Sequence, residues 1–393
     1  MDMPQPRTTT TNGIPNKVLA VIAWVKAKLG NANAQYELGM WYGDIRRSEW
    51  TENGEWFESG EWAPALSVEW FRKASDQGHP GALYELGCYY YAGDEVAGIR
   101  ENILDALELW RKAAHRGHIE AQYKIGLMYN IGIGVEHNSD EIIAWVSQAA
   151  DAGHIQAQCL LGNLYKKRYL SSGDGKELLK EAAKWYRKAA EQGDSEAQMA
   201  LAELLRLPAE GGKEDAKNDK EAVEWLLKAA KGCNHEAQFV LGRMYINGDR
   251  VSKNVVEGLK LLHEAAAYGE LIAGYNFDGY ADAQYFLGNL YSSGDGVPID
   301  KSKAVEWYHA AAVQNHVRAQ IHLGMMYADG DGVRQDYVHA HSWLSAASDE
   351  ADEQAKAVLA KIVKQMTQEQ IAEANELARK RLIPSADGLD WAG

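Results

Sequence analysis

The sequence predicts an all-α solenoid of about eight stacked helix pairs, with further helices capping the two ends. Three observations support this fold class. One motif recurs along most of the 393 residues, apolar residues follow helical spacing within each copy, and strands are hardly predicted at all. A chain of this length also exceeds the size at which a single hydrophobic core usually stops growing, which favours a repeat array over one compact domain.

The N-terminal region precedes the repeats. Residues 1–15 contain prolines and threonines without apolar periodicity, and we expect them to form a flexible leader. Residues 16–33 include the apolar run 18–25, which is too short to span a membrane and fits an N-terminal capping helix. The same run, followed by Ala-Asn-Ala at 32–34, could instead be a signal peptide. The capping helix is preferred because lysines interrupt the approach to that cleavage site and Ala34 opens the recurring motif.

The repeat begins with Ala-x-x-x-Leu-Gly-x-x-Tyr and, after a variable connector, closes with Trp-Tyr-x-Lys-Ala-Ala-x-x-Gly. In the first part Ala, Leu and Tyr lie on one stripe of a helix, here called the first helix of the repeat. Its sixth residue is small in every copy. Because glycine costs a helix about 1 kcal/mol relative to alanine, its recurrence predicts that another helix packs too closely for a side chain. The array spans 34–354, and its copies start at Ala34, Ala82, Ala121, Ala157, Ala197, Ala237, Ala283 and Ala319.

The second helix of each repeat follows a glycine-rich turn that ends in Asp or Asn, as at Asp300 and Asp336. This residue is expected to cap the free amides of the helix. A large aromatic residue stands near the middle of the helix, and a glycine eight residues later suits the left-handed conformation that ends a helix. Asn315 also suits that conformation, whereas Cys233 and Ala351 do not, so their repeats are predicted to end differently.

With these motifs the chain resembles Sel1-like repeat proteins, relatives of the tetratricopeptide arrays, over about residues 34–355. The resemblance implies a right-handed α/α superhelical solenoid whose first helices line a concave face that binds other proteins. The closing stretch around Thr367 and Gln370 is similar to the terminal helix of bacterial members, and these two residues predict a capping box. Residues 355–382 are therefore expected to be C-terminal capping helices, followed by a tail over 383–393.

The composition excludes several classes of function. A net charge of −15 repels phosphate backbones, so nucleic acid is not expected as a partner. The three cysteines are too few and too scattered for a disulfide framework, and the paired cysteines of secreted family members are absent, so a cytoplasmic location is expected. No apolar run is long enough for membrane insertion.

The sequence carries no catalytic signature. It has no His-Glu-x-x-His, Gly-x-Ser-x-Gly, Walker A loop or Ser-x-x-Lys. Its Gly-Asp-Gly turns lack the ligand series of a calcium loop. Histidines near the helix ends are expected to be polar turn residues rather than ligands, since stacking keeps successive repeats apart; they are His79, His118, His154, His235 and His316. No cofactor, metal or catalytic activity is expected, and a hydrolase is the alternative from another class.

Binding residues are sought on the face of the first helices, at positions 7 and 10 of each repeat. In the middle repeats these positions are polar and charged, which suggests a groove formed by Asn163, Lys166, Glu203, Arg206, Arg243 and Asn289. Such side chains would hold a peptide or protein segment through charge-assisted hydrogen bonds. The three basic residues would form an island that favours an acidic segment. The alternative is that all six are ordinary solvated surface residues.

A second candidate surface is the insertion at residues 44–64, which contains Trp50, Trp56 and Trp62. Asn-Gly between aromatic runs predicts a short hairpin there. A tryptophan cluster suits an interface anchor, but the rings could equally cover the open edge of the first repeats. The same two interpretations apply to the apolar insertion after Gly269.

Together these features predict a non-enzymatic adaptor or scaffold that binds a peptide or protein segment on a preorganised surface. The alternative within binding proteins is an immunity or antitoxin protein that sequesters a basic toxin domain. Such roles occur among bacterial relatives, and only the net charge of −15 favours one here.

Overall fold

The computed structural model describes residues 23–43, 64–172, 175–207, 213–267, 279–347 and 353–382. It consists of two compact units, Met1–Gln192 and Gly193–Gly393. Besides helical residues 23–28, the described part of the first unit contains α1 Ala32–Gly43, α2 Pro64–Asp76, α3 Pro80–Ala92, α4 Ile103–Ala114, α5 Ile119–Ile131, α6 Ser139–Asp151, α7 Ile155–Ser172 and α8 Lys176–Glu191. The described part of the second contains α9 Ser195–Leu205, α10 Lys213–Lys231, α11 His235–Asn247, α12 Val255–Ala266, α13 Ala281–Ser293, α14 Lys301–Val313, α15 Val317–Asp329, α16 Tyr337–Ala346, α17 Glu353–Val363 and α18 Gln368–Leu382.

The helices pack in pairs, one pair for each predicted repeat. The pairs are α1–α2, α3–α4, α5–α6 and α7–α8 in the first unit, and α9–α10, α11–α12, α13–α14 and α15–α16 in the second. Within each unit, the second helix of a pair also packs on the first helix of the next pair. Apart from one isolated bridge, the described segments contain no β-structure, and the all-α fold of repeated helix pairs is confirmed. None of the described helices is long and apolar enough to cross a bilayer.

The close packing of the two helices of a repeat depends on the glycine at position 6 of the repeat, which lies in the first helix. A Cβ at Gly87 would lie 2.6 Å from Cδ1 of Trp110, and a Cβ at Gly288 would lie 2.6 Å from Cδ1 of Tyr308. The predicted close approach is thus confirmed, and the approaching group is the residue that follows the tryptophan position of the second helix. The tryptophan position itself faces the preceding repeat, as Trp185 does against apolar residues of α6.

The predicted helix boundaries are also observed. Asp300 accepts a hydrogen bond from the Lys303 amide at 3.1 Å and so caps α14. Gly78 ends α2 with a positive φ of 78°. Cys233 has a positive φ of 59° as well, so the prediction that its repeat ends differently is wrong.

The Cys233 turn closes with the same backbone bonds as a glycine turn. The Cys233 amide donates to the carbonyl of Ala230 at 3.2 Å, and the Asn234 amide donates to Ala229 at 3.1 Å. These bonds offset the roughly 1–2 kcal/mol that a side chain costs in the left-handed conformation. The other exceptional residue, Ala351, lies outside the described residues.

Two further helices follow the last pair. Helix α17 packs on α15 and α16, and α18 packs on α16. The Thr367 amide donates to Oε1 of Gln370 at 2.9 Å, and the Gln370 amide donates to Oγ1 of Thr367 at 3.2 Å, which confirms the capping box. Ala374, in the expected apolar stripe of α18, is fully buried.

Candidate functional site

A buried glutamine fixes the position of each first helix against its neighbours. Gln158, at position 2 of the fourth repeat and within α7, is 3% exposed. Its Nε2 donates to the carbonyl of Ala150 in α6 at 2.9 Å, and its Oε1 accepts from Nε2 of Gln192 at 2.8 Å. One polar side chain therefore ties its helix both to the preceding second helix and to the residue that follows α8.

The same arrangement recurs in the second unit, where Gln284 donates to the carbonyl of Ala266 at 3.2 Å and accepts from Gln314 at 2.8 Å. These glutamines are not among the residues predicted from the sequence. The available signal was a glutamine directly after the repeat's first alanine, because a polar residue that recurs beside a buried position needs a partner. The buried members are Gln35, Gln122, Gln158, Gln198, Gln238, Gln284 and Gln320.

The turn histidines have a defined structural role. At the N-cap of α5, Nδ1 of His118 accepts the Ala121 amide at 3.2 Å, and the ring stacks on Tyr84 of the preceding repeat with centroids 4.6 Å apart. Three other histidines cap first helices in the same way, namely His79, His154 and His316. They are polar groups of the turns, as predicted. Within the described part of the chain, no three His, Cys, Asp or Glu side chains are grouped so that they could hold a metal ion.

We expect His118→Asn to weaken the dependence of stability on pH. Burial lowers the pKa of His118 from its ordinary value of 6.5, so the unfolded chain takes up a proton before the folded one does. The stability contributed by the neutral ring is therefore complete above about pH 6.5 and is lost as the pH falls from there through the folded pKa. Asparagine keeps the cap, as Asn234 does in the sixth repeat, but does not titrate.

Urea unfolding followed by circular dichroism between about pH 8 and pH 5 measures this effect. The stability advantage of the wild type over His118→Asn should shrink as the pH falls. His137→Asn, at an exposed turn position, controls for the loss of a histidine. Parallel pH profiles for the wild type and His118→Asn would show that the cap does not couple folding to protonation.

At position 7 of the first helices, two predicted groove asparagines are held by the second helix of the same repeat. In the first unit, the Tyr186 hydroxyl donates to Oδ1 of Asn163 at 2.6 Å. In the second unit, the Tyr308 hydroxyl donates to Oδ1 of Asn289 at 2.8 Å. Because each Oδ1 accepts from a buried tyrosine, each Nδ2 is directed away from it. Neither Nδ2 donates a hydrogen bond within the described residues.

Arg243, at position 7 of the sixth repeat and within α11, is held by contact with two aromatic rings rather than by an ion pair. Its guanidinium carbon lies 5.3 Å from the ring centroid of Phe239 and 5.6 Å from that of Phe286. The side chain is exposed. Phe239 lies one turn earlier in the same helix and Phe286 belongs to α13, so the arginine is placed where two repeats meet.

Arg206, another predicted groove residue, is only partly exposed to solvent. Partial burial, and then the charge of Arg250, lower the pKa of Arg206, while Asp249, Asp219 and Glu203 oppose this shift. The Nε of Arg206 is buried without a hydrogen-bond partner among the described residues. This arginine therefore lies among carboxylates rather than in a purely basic island.

The six residues of the predicted groove do not all belong to the same unit. Asn163 and Lys166 belong to the first unit, and the other four residues belong to the second. Lys166 and Glu203 both have interactions within the chain and are not free side chains. The residues of the tryptophan-rich insertion, and the insertion after Gly269, lie outside the described residues; the tryptophans concerned are Trp50, Trp56 and Trp62.

Two family models match the chain. The Sel1 repeat model matches more than half of it, at residues 32–49, 53–79, 80–118, 195–232, 235–269, 281–316 and 317–352. The model described as Tetratricopeptide Repeats-Sensor matches residues 102–201. No curated protein shows a significant match.

Several solved structures resemble the chain. A Sel1 repeat protein from Oxalobacter formigenes is 26% identical with a TM-score of 0.63, over 92% of this chain and 97% of that one. The protein c5321, a protective antigen of uropathogenic Escherichia coli with an SLR fold, is 26% identical with a TM-score of 0.56, over 97% of this chain and 86% of that one. The immunity protein Pa5087 of Pseudomonas aeruginosa is 19% identical over 67% of this chain and 82% of that one, but its TM-score of 0.31 is too low to carry an argument.

Proposed function

Because the chain belongs to the Sel1 repeat family, we propose that it is a non-enzymatic adaptor or scaffold that binds an extended protein segment on the face of its first helices. Sel1 repeat proteins generally mediate protein–protein interactions and are typically non-catalytic. In each unit this face, called here the first-helix face, comprises positions 7 and 10 of the unit's repeats. The three cysteines are free thiols, which supports action in a reducing compartment such as the cytoplasm.

The observation that carries the proposal is that three side chains at position 7 are accessible to solvent and are nevertheless held in place by aromatic residues. Asn163, Arg243 and Asn289 all reach solvent, and a tyrosine or a pair of phenylalanine rings orients each of them. The outward Nδ2 of an asparagine donates to a backbone carbonyl, a group that every protein segment offers. Because the side chains are already ordered, binding loses less conformational entropy at this face than at a mobile surface.

Site-specific photo-crosslinking tests the proposal. A photoreactive amino acid would be placed at Lys167 or Ser293, one helical turn after the two asparagines, so that the asparagines themselves stay intact. Matched controls carry it at Lys180 on α8 or Lys260 on α12, which are exposed on second helices. We expect the same partner protein to be crosslinked from the first-helix positions and not from the controls. Equal crosslinking from all four positions would contradict a binding role for the first-helix face.

A further inference from the structure

We propose that the bound segment places an acidic side chain against Arg243, in a site walled by Phe239 and Phe286. The inference rests on the proposed function and adds to it the chemistry of the partner at one point of the first-helix face. The acidic group is the carboxylate of an internal Asp or Glu of the partner, not a phosphate or a nucleic acid.

The geometry fixes the position of the cation between two aromatic rings. Guanidinium and phenyl groups attract each other when the cation lies over the ring within about 6 Å of its centroid, and both Phe239 and Phe286 meet this condition at 5.3 and 5.6 Å. The two rings are in edge-to-face contact with each other, with centroids 6.1 Å apart and planes at 79°. Tyr280 packs on Phe239 at 5.4 Å and supports it from the start of α13. The guanidinium therefore sits in a preformed aromatic notch.

The hydrogen-bonding capacity of the arginine is unused. All five N–H donors lie in the guanidinium plane, and none of them donates a hydrogen bond to an acceptor among the described residues. Among the described residues no carboxylate lies within ion-pair distance of Arg243, in contrast to Arg250, whose Nε is 2.9 Å from Oδ1 of Asp219. An exposed cation that is held in place and has unused planar donors fits a carboxylate, which it can bind through two parallel hydrogen bonds.

Charge favours a protein carboxylate over a polyanion. The chain carries a net charge of −15, so a nucleic acid is repelled along most of its length, while one carboxylate meets a single local cation. The phenyl walls add apolar contact for the methylene groups of Glu or for the side chain next to it. An acidic residue beside an apolar one is therefore the expected sequence feature of the partner.

A peptide selection tests this assignment. The full chain would be immobilised and used to select from a random library fused at its C-terminal end to a phage coat protein, so that only side-chain carboxylates are available. We expect Asp or Glu to be enriched in the sequences selected by the wild type, and this enrichment to vanish with Arg243→Gln. Arg318→Gln, which removes an exposed arginine from α15, should leave the enrichment unchanged.

Affinities of a selected peptide with blocked termini then separate the two proposals. Replacing its Glu with Gln should weaken binding to the wild type by about tenfold or more and have no further effect on Arg243→Gln, since the same pair is already broken. For Arg243→Lys, which keeps the charge but loses the planar donors, the loss of affinity on replacing Glu with Gln should lie between the losses for the wild type and for Arg243→Gln.

Peptides that bind the first-helix face without any preference for Glu over Gln would overturn the carboxylate assignment and leave the adaptor function intact. If no selected peptide binds this face, the proposed function fails as well. Circular dichroism of each variant confirms that it is folded.

Discussion

Gln158→Ala is expected to lower the free energy of unfolding by about 2–4 kcal/mol, although it changes a single neutral side chain. The substitution opens a cavity at a site that is 3% exposed. It also leaves the Ala150 carbonyl and the Gln192 side chain without the partners that Gln158 now provides. A buried polar group that loses its partner costs more than the hydrogen bond had contributed, because water does not replace the partner.

Gln156→Ala is the matched control, since Gln156 lies on the same helix and is exposed. Its effect should stay within about 0.5 kcal/mol. Urea denaturation gives the global change, and amide hydrogen exchange shows whether α6, α7 and α8 lose protection together, as coupling through one side chain requires. Equal stabilities for the two variants would mean that the buried glutamines do not hold the repeats together.

Gly288→Ala is expected to destabilise the second unit by about 1–2 kcal/mol, even though alanine is the better helix former by about 1 kcal/mol. The added methyl group would lie 2.6 Å from a ring carbon of Tyr308, which is itself buried at 2% exposure. The ring has to move, and its hydroxyl orients Asn289 on the first-helix face. The substitution should therefore also impair binding at that face.

A compensating variant provides the control for this prediction. In the fifth repeat Ala202 occupies the glycine position and Leu226 the tyrosine position, and both are fully buried. Gly288→Ala combined with Tyr308→Leu copies that natural pair and should recover part of the stability, but not the orientation of Asn289. Thermal unfolding of the two single variants and the double variant measures the coupling. Strictly additive losses would show that the ring and the glycine do not restrict each other.

Much of the fold was predictable because its signals are local. The period of the repeat, the Asp and Asn caps and the glycine stops each depend on residues within one or two turns of chain. Cys233 shows the limit of such rules, since residue preference argued against a left-handed conformation that two backbone hydrogen bonds nevertheless stabilise. The preference of a residue type gives the free-energy cost of a backbone conformation. It does not include the hydrogen bonds of the surrounding structure that offset this cost.

The candidate site was predictable only as a set of positions. Helical periodicity placed Arg243 and Asn289 on one face, but their surroundings come from elsewhere in the chain. Asn289 takes its orientation from Tyr308 in the second helix of its repeat, and Arg243 takes one of its two aromatic neighbours from the next repeat. Arg206 was assigned to the same basic island, yet the packing of α9 places it among carboxylates.

By itself, the sequence determined that this protein is an array of helix pairs of the Sel1 type, because spacing along the chain dictates which residues a helix buries. The tertiary structure alone decided which exposed side chains are fixed and which buried polar groups are satisfied. Those properties depend on contacts between residues far apart in sequence, and the direction of a side chain is settled only when its neighbour from another helix is in place.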